Sequence, residues 1–518
     1  MATRASEGGG VPETPSSVQQ YTVQQYTVQR YIDETPQWRD GTPAGAGGMT
    51  SMQSRIWWLA SAGKFFEGLI VFLIGVALPL ITAYWSLSTV ETGLLTAAPL
   101  AGIMVGATAL GGLSDRFGRR QMFLIEMVLF TLFVLGATVA PGFVVFLICL
   151  LGMGIALGCD YPTAHTMISE TQSTASRGQK VLSAFAFQAV GAVAGTLVGV
   201  AILTNTDSLD SWRLMFGVVV VPAALVTIGR LFIVQSPHWL ANVGRHAEAE
   251  VELGKLLDRT PRYPSVVSLA TERGTDATER AKVGSLFRRP WRRSTILASV
   301  PWFLQDLGTY GIGIFTPTII ATTLGDVDHN KSSSSAIIHN DLLGAEGAAF
   351  IDTFLLVGIV VAILLVNRLG RMRLQIIGFI GCAVGLAIAA ASTYATGTLQ
   401  TVLIFGGFIL FQFMTNLGPN SMTYVVAGEV FPTSLRGMGA GMAASFAKVG
   451  AVLTSFLFPI LLVSWGTSTV LAILVGTSLL GAVITWKFRI ETTGKSVEDI
   501  DSMFGEEHPA PPELGARD

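Results

Sequence analysis

The sequence has little charge for its length. Asp, Glu, Lys and Arg make up 13% of its 518 residues, whereas soluble globular chains carry about 25%. Half of the residues are hydrophobic, and the mean hydropathy is +0.55. A chain of this composition is expected to have lipid, rather than water, around much of its surface.

Other scarcities exclude several kinds of site. The three cysteines, Cys149, Cys159 and Cys382, lie within apolar runs without metal-ligand or redox spacing, so we expect them to pack in the core. The net charge of -2 gives no indication of a nucleic-acid partner. No combination of nucleophile and base is visible, and the sequence predicts neither an enzyme nor a bound metal or cofactor.

Long apolar segments make up most of the chain. A helix crosses a bilayer in roughly 20 predominantly apolar residues, and its backbone groups must be satisfied within the segment. The sequence predicts an all-α integral membrane protein with twelve transmembrane helices in two six-helix bundles. The expected spans lie near 56–84, 92–113, 121–140, 143–167, 180–203, 214–234, 294–322, 348–367, 374–395, 400–427, 437–464 and 468–488.

These spans divide the chain into five parts. Residues 1–54 are rich in Gly, Ser, Gln and Pro and are expected to form a disordered tail. The bundles cover 55–234 and 294–489, a charged linker covers 235–293, and a second tail covers 490–518. Because Lys and Arg are concentrated in the linker and the loops on its side, the positive-inside rule places both termini in the cytoplasm. We expect a monomeric, multi-pass protein of the plasma (inner) membrane.

The two halves repeat a pattern of charges. Each half has a Gly-Arg pair after its second span, and a Glu seven positions before an Arg after its fourth span. Matched halves suit a transporter that rocks about a central site, and a channel does not need them. The residues are Gly118, Arg119, Glu170 and Arg177 in the first half, and Gly370, Arg371, Glu429 and Arg436 in the second.

The loop after the second span resembles a signature of the major facilitator superfamily. It reads Gly-Gly-Leu-Ser-Asp-Arg-Phe-Gly-Arg-Arg over 111–120, and 235–240 and 491–496 resemble further signatures of the sugar-porter-like branch. The resemblance implies twelve helices and conformational gating by ionic contacts at this helix junction. The gating residues expected in the loop are Asp115, Arg116, Gly118, Arg119 and Arg120, together with Glu170, Arg177, Glu429 and Arg436 of the repeat.

Within this branch the sequence is most similar to phosphate:proton symporters and related metabolite:proton symporters. Residues 158–162 read Gly-Cys-Asp-Tyr-Pro, and similar stretches lie at 302–311, 416–420 and 447–450. The resemblance implies that Asp160 and a carboxylate of the first span handle protons. It also implies that the substrate contacts Tyr161, Gln188, Trp302, Asp306, Tyr310, Asn420 and Lys448.

Polar residues from five spans also reach one depth by helix geometry. A helix rises about 1.5 Å per residue, so Lys448 lies roughly 18 Å into the bilayer. The same reasoning gives a similar depth for Glu67, Asp160, Gln188 and Asp306. Ionisable groups are costly at this depth, and transporters bind their substrates there. The alternative is a set of ion pairs, such as Lys448 with Asp306, that only holds the bundle together.

Spacing adds detail to two of the spans. Trp302, Asp306 and Tyr310 are four residues apart and share one helix face, and an acid between two aromatics indicates a binding surface. Tyr161 and His165 share a face in the same way, with Asp160 pointing elsewhere. His165 is a candidate substrate contact that could sense pH, or it could be a hydrogen-bonded packing residue.

These residues predict a proton-coupled symporter that works by alternating access. Lys448 would bind an anionic group, and Asp306 would repel it unless the solute donates a proton, as phosphate can. Asp160 and Glu67 would carry the coupled protons. Ile70 stands where phosphate symporters have a second acid, so an organic anion or a hydroxylated metabolite is the alternative to phosphate. A transporter-like receptor that binds solute and signals is an alternative of another class.

Overall fold

The computed structural model describes residues 26–34, 48–110, 113–258, 267–269, 283–289, 291–325, 334–431 and 435–492. Eleven helices in these ranges are long and apolar enough to cross a membrane. Spans 1 to 6 are Ser51–Trp85, Thr89–Val105 with Gly106–Leu110, Arg119–Thr138, Phe143–Thr171, Thr174–Phe185 with Phe187–Leu203, and Trp212–Arg230. Spans 7 to 10 are Arg292–Leu324, Ser334–Leu369, Arg371–Ala391, and Gly397–Leu417 with Pro419–Glu429.

The last of the eleven helices contains two spans. Arg436–Phe488 is 53 residues long, about 80 Å at about 1.5 Å per residue, far more than the roughly 30 Å of a hydrocarbon core. Gly466 has φ 76 inside it, which is not helical, and separates span 11 from span 12. Twelve spans in an all-α membrane fold are therefore confirmed.

Local sequence signals explain where several spans begin. Thr50 and Ser88 form capping boxes with Gln53 and Glu91, so that each pair satisfies free backbone N–H groups at the start of spans 1 and 2. Spans 3 and 9 each follow a glycine with positive φ, Gly118 at 97 and Gly370 at 85. A side chain at 118 would also lie 2.5 Å from the Gln235 Nε2 atom, so the backbone itself requires the glycine of this Gly-Arg pair.

Span 8 begins earlier than the sequence indicates. The expected start was near residue 348, whereas the helix starts at Ser334. The extra turns contain His339, Asn340 and Asp341, which interrupt the apolar run. Asp341 is nevertheless 1% exposed, because neighbouring spans cover it. A hydropathy window averages residue types along the chain, so it cannot detect that packing between helices buries a polar side chain.

Part of the expected disordered tail is ordered. Residues 26–34 contain the short helix Val28–Asp33, whose apolar side chains are buried against the linker. The Asp33 carboxylate accepts hydrogen bonds from the backbone N–H and the hydroxyl of Thr174, both at 2.7 Å. The Tyr31 hydroxyl donates to the Ser268 carbonyl at 3.1 Å. The linker provides an apolar surface for this segment, which cannot be seen in the tail alone.

The two halves meet on the membrane side opposite the linker. Gly75 of span 1 lies directly against the Ile314 carbonyl of span 7, and the Thr96 hydroxyl of span 2 donates to the Ser455 carbonyl of span 11 at 2.8 Å. On the linker side the halves separate around a cavity of about 530 Å³. The conformation is therefore closed opposite the linker and open towards it.

Candidate functional site

A small polar cavity lies between the two halves. Its free space is about 20 Å³, room for about one water molecule, so side chains must move before a solute can fit. Lys64 and Phe185 line it, together with eight residues that were selected from the sequence. They are Glu67, Tyr161, Gln188, Trp302, Asp306, Tyr310, Asn420 and Lys448.

Two lysines and two carboxylates form a charge cluster in this cavity. The Lys448 Nζ atom lies 3.2 Å from the Glu67 Oε1 atom and 3.6 Å from the Asp306 Oδ2 atom. The Lys64 Nζ atom lies 2.5 Å from the Glu67 Oε2 atom. All four residues are nearly buried, and their formal charges sum to zero. We refer to these four residues as the charge cluster.

Uncharged groups orient the cluster. The Tyr310 hydroxyl lies 2.5 Å from the Lys448 Nζ atom, which donates to it, and itself donates to the Glu67 Oε1 atom at 3.0 Å. The Gln188 amide donates to both Glu67 and Tyr310. Among the described residues, the Gln188 Oε1 atom and the Asp306 Oδ2 atom are buried without a hydrogen bond, although Asp306 Oδ2 also has the longer ion pair with Lys448. Acceptors that lack a close donor suit a solute that brings its own donor hydrogens.

Lys64 was underestimated by sequence reasoning. It is not among the residues selected from the sequence, yet its Nζ atom pairs with Glu67 and lies 3.7 Å from the ring centroid of Tyr161, within cation–π range. Its position three residues before Glu67 is a signal that the sequence contains, since residues three apart on a helix are neighbours.

Asp160 does not line the cavity. Its Oδ1 atom lies 2.5 Å from the Nη1 atom of Arg230, whose side chain is 0% exposed. Arg230 also donates to the Phe123 and Leu59 carbonyls at 2.6 and 3.0 Å. Glu126 is buried close by and accepts a hydrogen bond from Thr163 at 2.9 Å. The first half thus contains a buried ionic group behind the cavity wall.

Arg230 and Glu126 were missed by sequence reasoning. Arg230 ends span 6 and was counted with neither the loops nor the membrane residues. Glu126 lies in the first half of span 3 and was not among the residues selected from the sequence. A basic residue at the end of an apolar span, facing an acid in another span, is the signal that would have found this pair.

His165 belongs to a different cavity from the other selected residues. It lines the linker-side cavity with Arg177, Arg371, Glu429 and others, and its ring centroid is 6.5 Å from that of Tyr424. A contact of His165 with solute bound in the central cavity is therefore not supported by its position.

Aromatic rings separate the two cavities. Tyr424 lines the linker-side cavity and stacks on Phe185, with ring centroids 4.6 Å apart. It also meets Tyr161 and Trp302 edge to face, at 5.8 and 6.2 Å. Phe185, Tyr161 and Trp302 line the central cavity, so the Tyr424 ring is the outermost layer between the charge cluster and the open side. Sequence reasoning did not select Tyr424 or Phe185.

Each half pairs an arginine of the loop motif with the glutamate at the end of its fourth span. An Arg119 guanidinium nitrogen lies 3.1 Å from Glu170, and the Arg371 guanidinium donates to both carboxylate oxygens of Glu429 at 3.0 and 3.1 Å. Arg119 also lies 2.5 Å from Asp115. The charge repeat of the sequence is therefore a repeated ion pair within each bundle.

The remaining gating candidates have separate surroundings. Arg120 donates to the Leu231 carbonyl at 2.7 Å, and Arg116 is exposed. Arg177 donates to Gln29 of the tail helix at 2.7 Å and lines the linker-side cavity. Arg436 begins span 11, and its side chain lies outside the described residues.

Known proteins share this architecture. A profile described as "Sugar (and other) transporter" matches residues 18–504. A putative metabolite transport protein of Escherichia coli is 28% identical over 88% of this chain and 96% of its own length. A putative inorganic phosphate transporter of Schizosaccharomyces pombe is 26% identical over 88% of this chain and 89% of its own.

The fold agrees with these sequence relatives. The inward-open structure of the E. coli xylose transporter XylE superposes with a TM-score of 0.70 at 22% identity, covering 87% of this chain and all of that one. At this identity the likeness supports the fold alone. The recognition made from the loop signatures is confirmed: the chain belongs to the sugar (and other) transporter family and has the major facilitator fold.

Proposed function

We propose that this transporter is a proton-coupled symporter of a small anionic solute, with inorganic phosphate as the leading candidate. The observation that carries the proposal is the balanced charge cluster of Lys64, Glu67, Asp306 and Lys448. The cluster is neutral before a solute enters. Uncompensated charge in a buried site costs several kcal/mol, so an entering anion needs a compensating charge.

A proton on a carboxylate of the cluster provides that compensation. In the present conformation the Lys448 ammonium group is occupied by Glu67, Asp306 and Tyr310. Protonation of Glu67 removes one of its negative neighbours and leaves Lys448 able to bind an anion. One proton per negative charge on the solute keeps the site neutral, which couples the two fluxes.

The free acceptors of the site support phosphate. A phosphate hydroxyl can donate to the Asp306 Oδ2 atom or to the Gln188 Oε1 atom, both of which have no hydrogen bond, while other phosphate oxygens face Lys448. The S. pombe relative is itself described as a putative inorganic phosphate transporter. An organic anion with a hydroxyl group would meet the same requirements.

An uncharged hydroxylated metabolite is the second candidate, because its hydroxyl groups would also satisfy the free acceptors. The structural neighbour XylE is named as a xylose transporter. An uncharged solute leaves the charge cluster balanced, so the cluster would then give no electrostatic reason for proton coupling. An anionic solute should therefore be transported together with protons, and an uncharged solute without them.

Asp160 remains a proposed proton carrier, with Arg230 as its partner. Gly63 of span 1 lies directly against the Asp160 carboxylate, one residue before Lys64, so Asp160 is separated from the charge cluster by one helix wall. If Asp160 takes up a proton, Glu126 is the acid that can still balance Arg230. This arrangement would allow protonation without leaving a buried guanidinium unpaired.

The cavities suggest how the solute crosses. The linker side is proposed to be cytoplasmic, in the plasma (inner) membrane, with Tyr424 as the inner gate. Rocking of the halves would open the contacts of Gly75 and Thr96 on the opposite side and close the linker-side cavity. The ion pairs of Arg119 and Arg371 would hold each bundle rigid during this movement.

The proposal is tested with purified protein in liposomes that contain a pH dye. External phosphate should acidify the interior of vesicles containing the wild-type protein. Glu67→Gln, which cannot bind a proton, should lose proton-driven accumulation but keep phosphate counterflow. Asp160→Asn should behave in the same way if Asp160 carries a proton. Asp210→Asn, a change at an exposed site opposite the linker, is the control.

Two outcomes would contradict the proposal. Proton-driven accumulation by Glu67→Gln at the wild-type rate would remove Glu67 from the coupling. Saturable binding of phosphate without any flux would favour a receptor over a transporter.

A further inference from the structure

Span 8 contains buried acids that the transport site does not use. Asp352 is 0% exposed and Asp341 is 1% exposed, and neither lines the central cavity. They are eleven positions apart in Ser334–Leu369, which places them on one helix face about 16 Å apart along the axis. Asp352 lies near the middle of the span.

Asp352 has a carboxamide neighbour but no cation. The Gln412 Nε2 atom of span 10 donates to the Asp352 Oδ1 atom at 2.8 Å. Within the described ranges, Asp352 takes part in no ion pair. A buried carboxylate without a counter-charge is costly, and one hydrogen bond from a neutral amide does not offset that cost.

The hydrogen-bonding pattern around Asp352 lacks one donor hydrogen. In the part of the chain that the structure describes, neither the buried Asp352 Oδ2 atom nor the buried Gln412 Oε1 atom has a hydrogen-bond partner. Both are acceptors when the acid is ionised. A proton on Oδ2 would turn this oxygen into a donor, and the acid could then return a hydrogen bond to the amide that already donates to it.

The helices packed against span 8 provide no other compensation. Span 5 from Phe187 to Leu203 and span 10 from Gly397 to Leu417 contain no charged residue. Span 7 contributes Asp306 and Tyr310, and span 1 contributes Lys64 and Glu67, all of which face the central cavity. The other charges on these elements and on span 9 lie near their linker-side ends: Arg55, Arg292, Arg293, Arg371 and Arg373.

Polar contacts next to Asp352 connect spans 8 and 10 further. The Asn416 amide of span 10 donates to the Leu355 carbonyl of span 8 at 2.9 Å, and Asn420 donates to Asn416 at 2.6 Å. Asn420 lines the central cavity. The acid–amide pair is therefore about two helical turns from Asn420 in the wall of the transport site, at the contact between two spans of the second half.

We propose that Asp352 is a resident proton-binding site, in which the neutral acid pairs with Gln412 and joins spans 8 and 10. This proton is held while the two spans are packed as described, and it is separate from protons that accompany the solute. The site does not depend on which solute is transported. Loss of the proton in alkaline solution would place an unpaired charge between the spans and loosen the second half.

Infrared difference spectroscopy tests the site without any solute. Purified protein is compared between neutral and strongly alkaline buffer in the stretching region of the neutral carboxylic acid. Wild type should show a carboxylic-acid band that disappears at alkaline pH, and Asp352→Asn should lack this contribution. Identical difference spectra for the two proteins would overturn the proposal. Asp210→Asn should match wild type, because Asp210 is exposed and paired with Arg213 at 2.6 Å.

Thermal unfolding gives a second readout that a failure to fold cannot imitate. The folded protein should bind one proton more than the unfolded chain at Asp352, so this contribution to stability is complete at lower pH and is lost as pH rises. Asp352→Asn replaces the acid with an amide of the same size, which can pair with Gln412 but does not titrate. Its unfolding temperature should therefore fall less than that of wild type on alkalinisation, and an equal fall would contradict the assignment.

Discussion

The Asp160–Arg230 pair offers a quantitative test of the buried ionic group in the first half. Arg230→Met removes the guanidinium group that pairs with Asp160 and bonds to the carbonyls of Phe123 and Leu59. Removing one partner of a buried ion pair typically costs about 3–5 kcal/mol. We expect the upper part of this range, because Arg230 is 0% exposed and its guanidinium also lies 3.4 Å from the Phe123 ring centroid.

The reverse change should cost less. Asp160→Asn leaves a neutral acceptor for Arg230, so an ion pair becomes a hydrogen bond from a charged donor to an amide oxygen, a loss of about 1–2 kcal/mol. Arg230 also keeps both carbonyl contacts and the proximity of Glu126. The double variant has no unpaired carboxylate at 160 and should be more stable than the sum of the single effects by about 1 kcal/mol or more.

The assay is reversible unfolding in mixed micelles, followed by the fluorescence of the ten tryptophans. Asp210→Asn, at an exposed site, does not alter this ion pair and controls for general effects of mutation. Two outcomes would refute this account of a coupled pair whose arginine Glu126 can also balance. One is an equal loss of unfolding free energy in the two single variants, and the other is strict additivity in the double variant.

Three further perturbations follow from the geometry. Lys448→Gln should weaken phosphate binding by roughly 30-fold or more, because truncating one partner of a buried charge pair costs about 2–5 kcal/mol. This loss of affinity should be smaller in acid. Calorimetry measures the affinity, and Lys255→Gln, at an exposed linker residue, is the control. Tyr424→Ala should open the central cavity to the linker side and raise the rate of labelling by a thiol reagent at a cysteine introduced in place of Asn420. Gly370→Ala should cost about 1–3 kcal/mol of stability, because φ 85 with ψ 157 is a backbone conformation essentially restricted to glycine; the unfolding temperature measures this, with Gly428→Ala as the control, where a side chain would meet open space.

The sequence was sufficient for most of the cavity. Lys448 and Asp306 could be placed at one depth because a helix has a fixed rise and the span boundaries were nearly correct. Helix periodicity also put Trp302 and Tyr310 on the same face as Asp306. The eight selected residues that line the central cavity share one property, namely that a polar or amphipathic side chain lies deep in an apolar span.

Residues whose importance depends on a partner were harder to recognise. Arg230 lies at the end of its span, where charge is ordinary, and only packing brings Arg230 and Glu126 to Asp160. Tyr424 is one aromatic among many until its stacking on Phe185 is seen. Asp352 was inside an expected span but was not noticed. Its significance depends on two oxygens of the contact with Gln412 that have no hydrogen-bond donor among the described residues, and this is visible only in the structure.

Two boundaries failed for a related reason. Polar residues at the start of span 8 ended the predicted helix, although packing against other spans buries them. The helix of residues 28–33 was assigned to a disordered tail, since its apolar side chains are few and the surface that covers them belongs to the linker. Both errors come from tertiary contacts that a single sequence does not display.

The voltage dependence of phosphate uptake tests the central claim most directly. If the neutral charge cluster requires one proton for each negative charge on the solute, the loaded site carries no net charge across the membrane. Uptake into liposomes should then acidify the interior, respond to an imposed pH gradient, and remain unchanged when a membrane potential is imposed with potassium and valinomycin. Uptake that is driven by the potential, or that proceeds without internal acidification, would contradict the account.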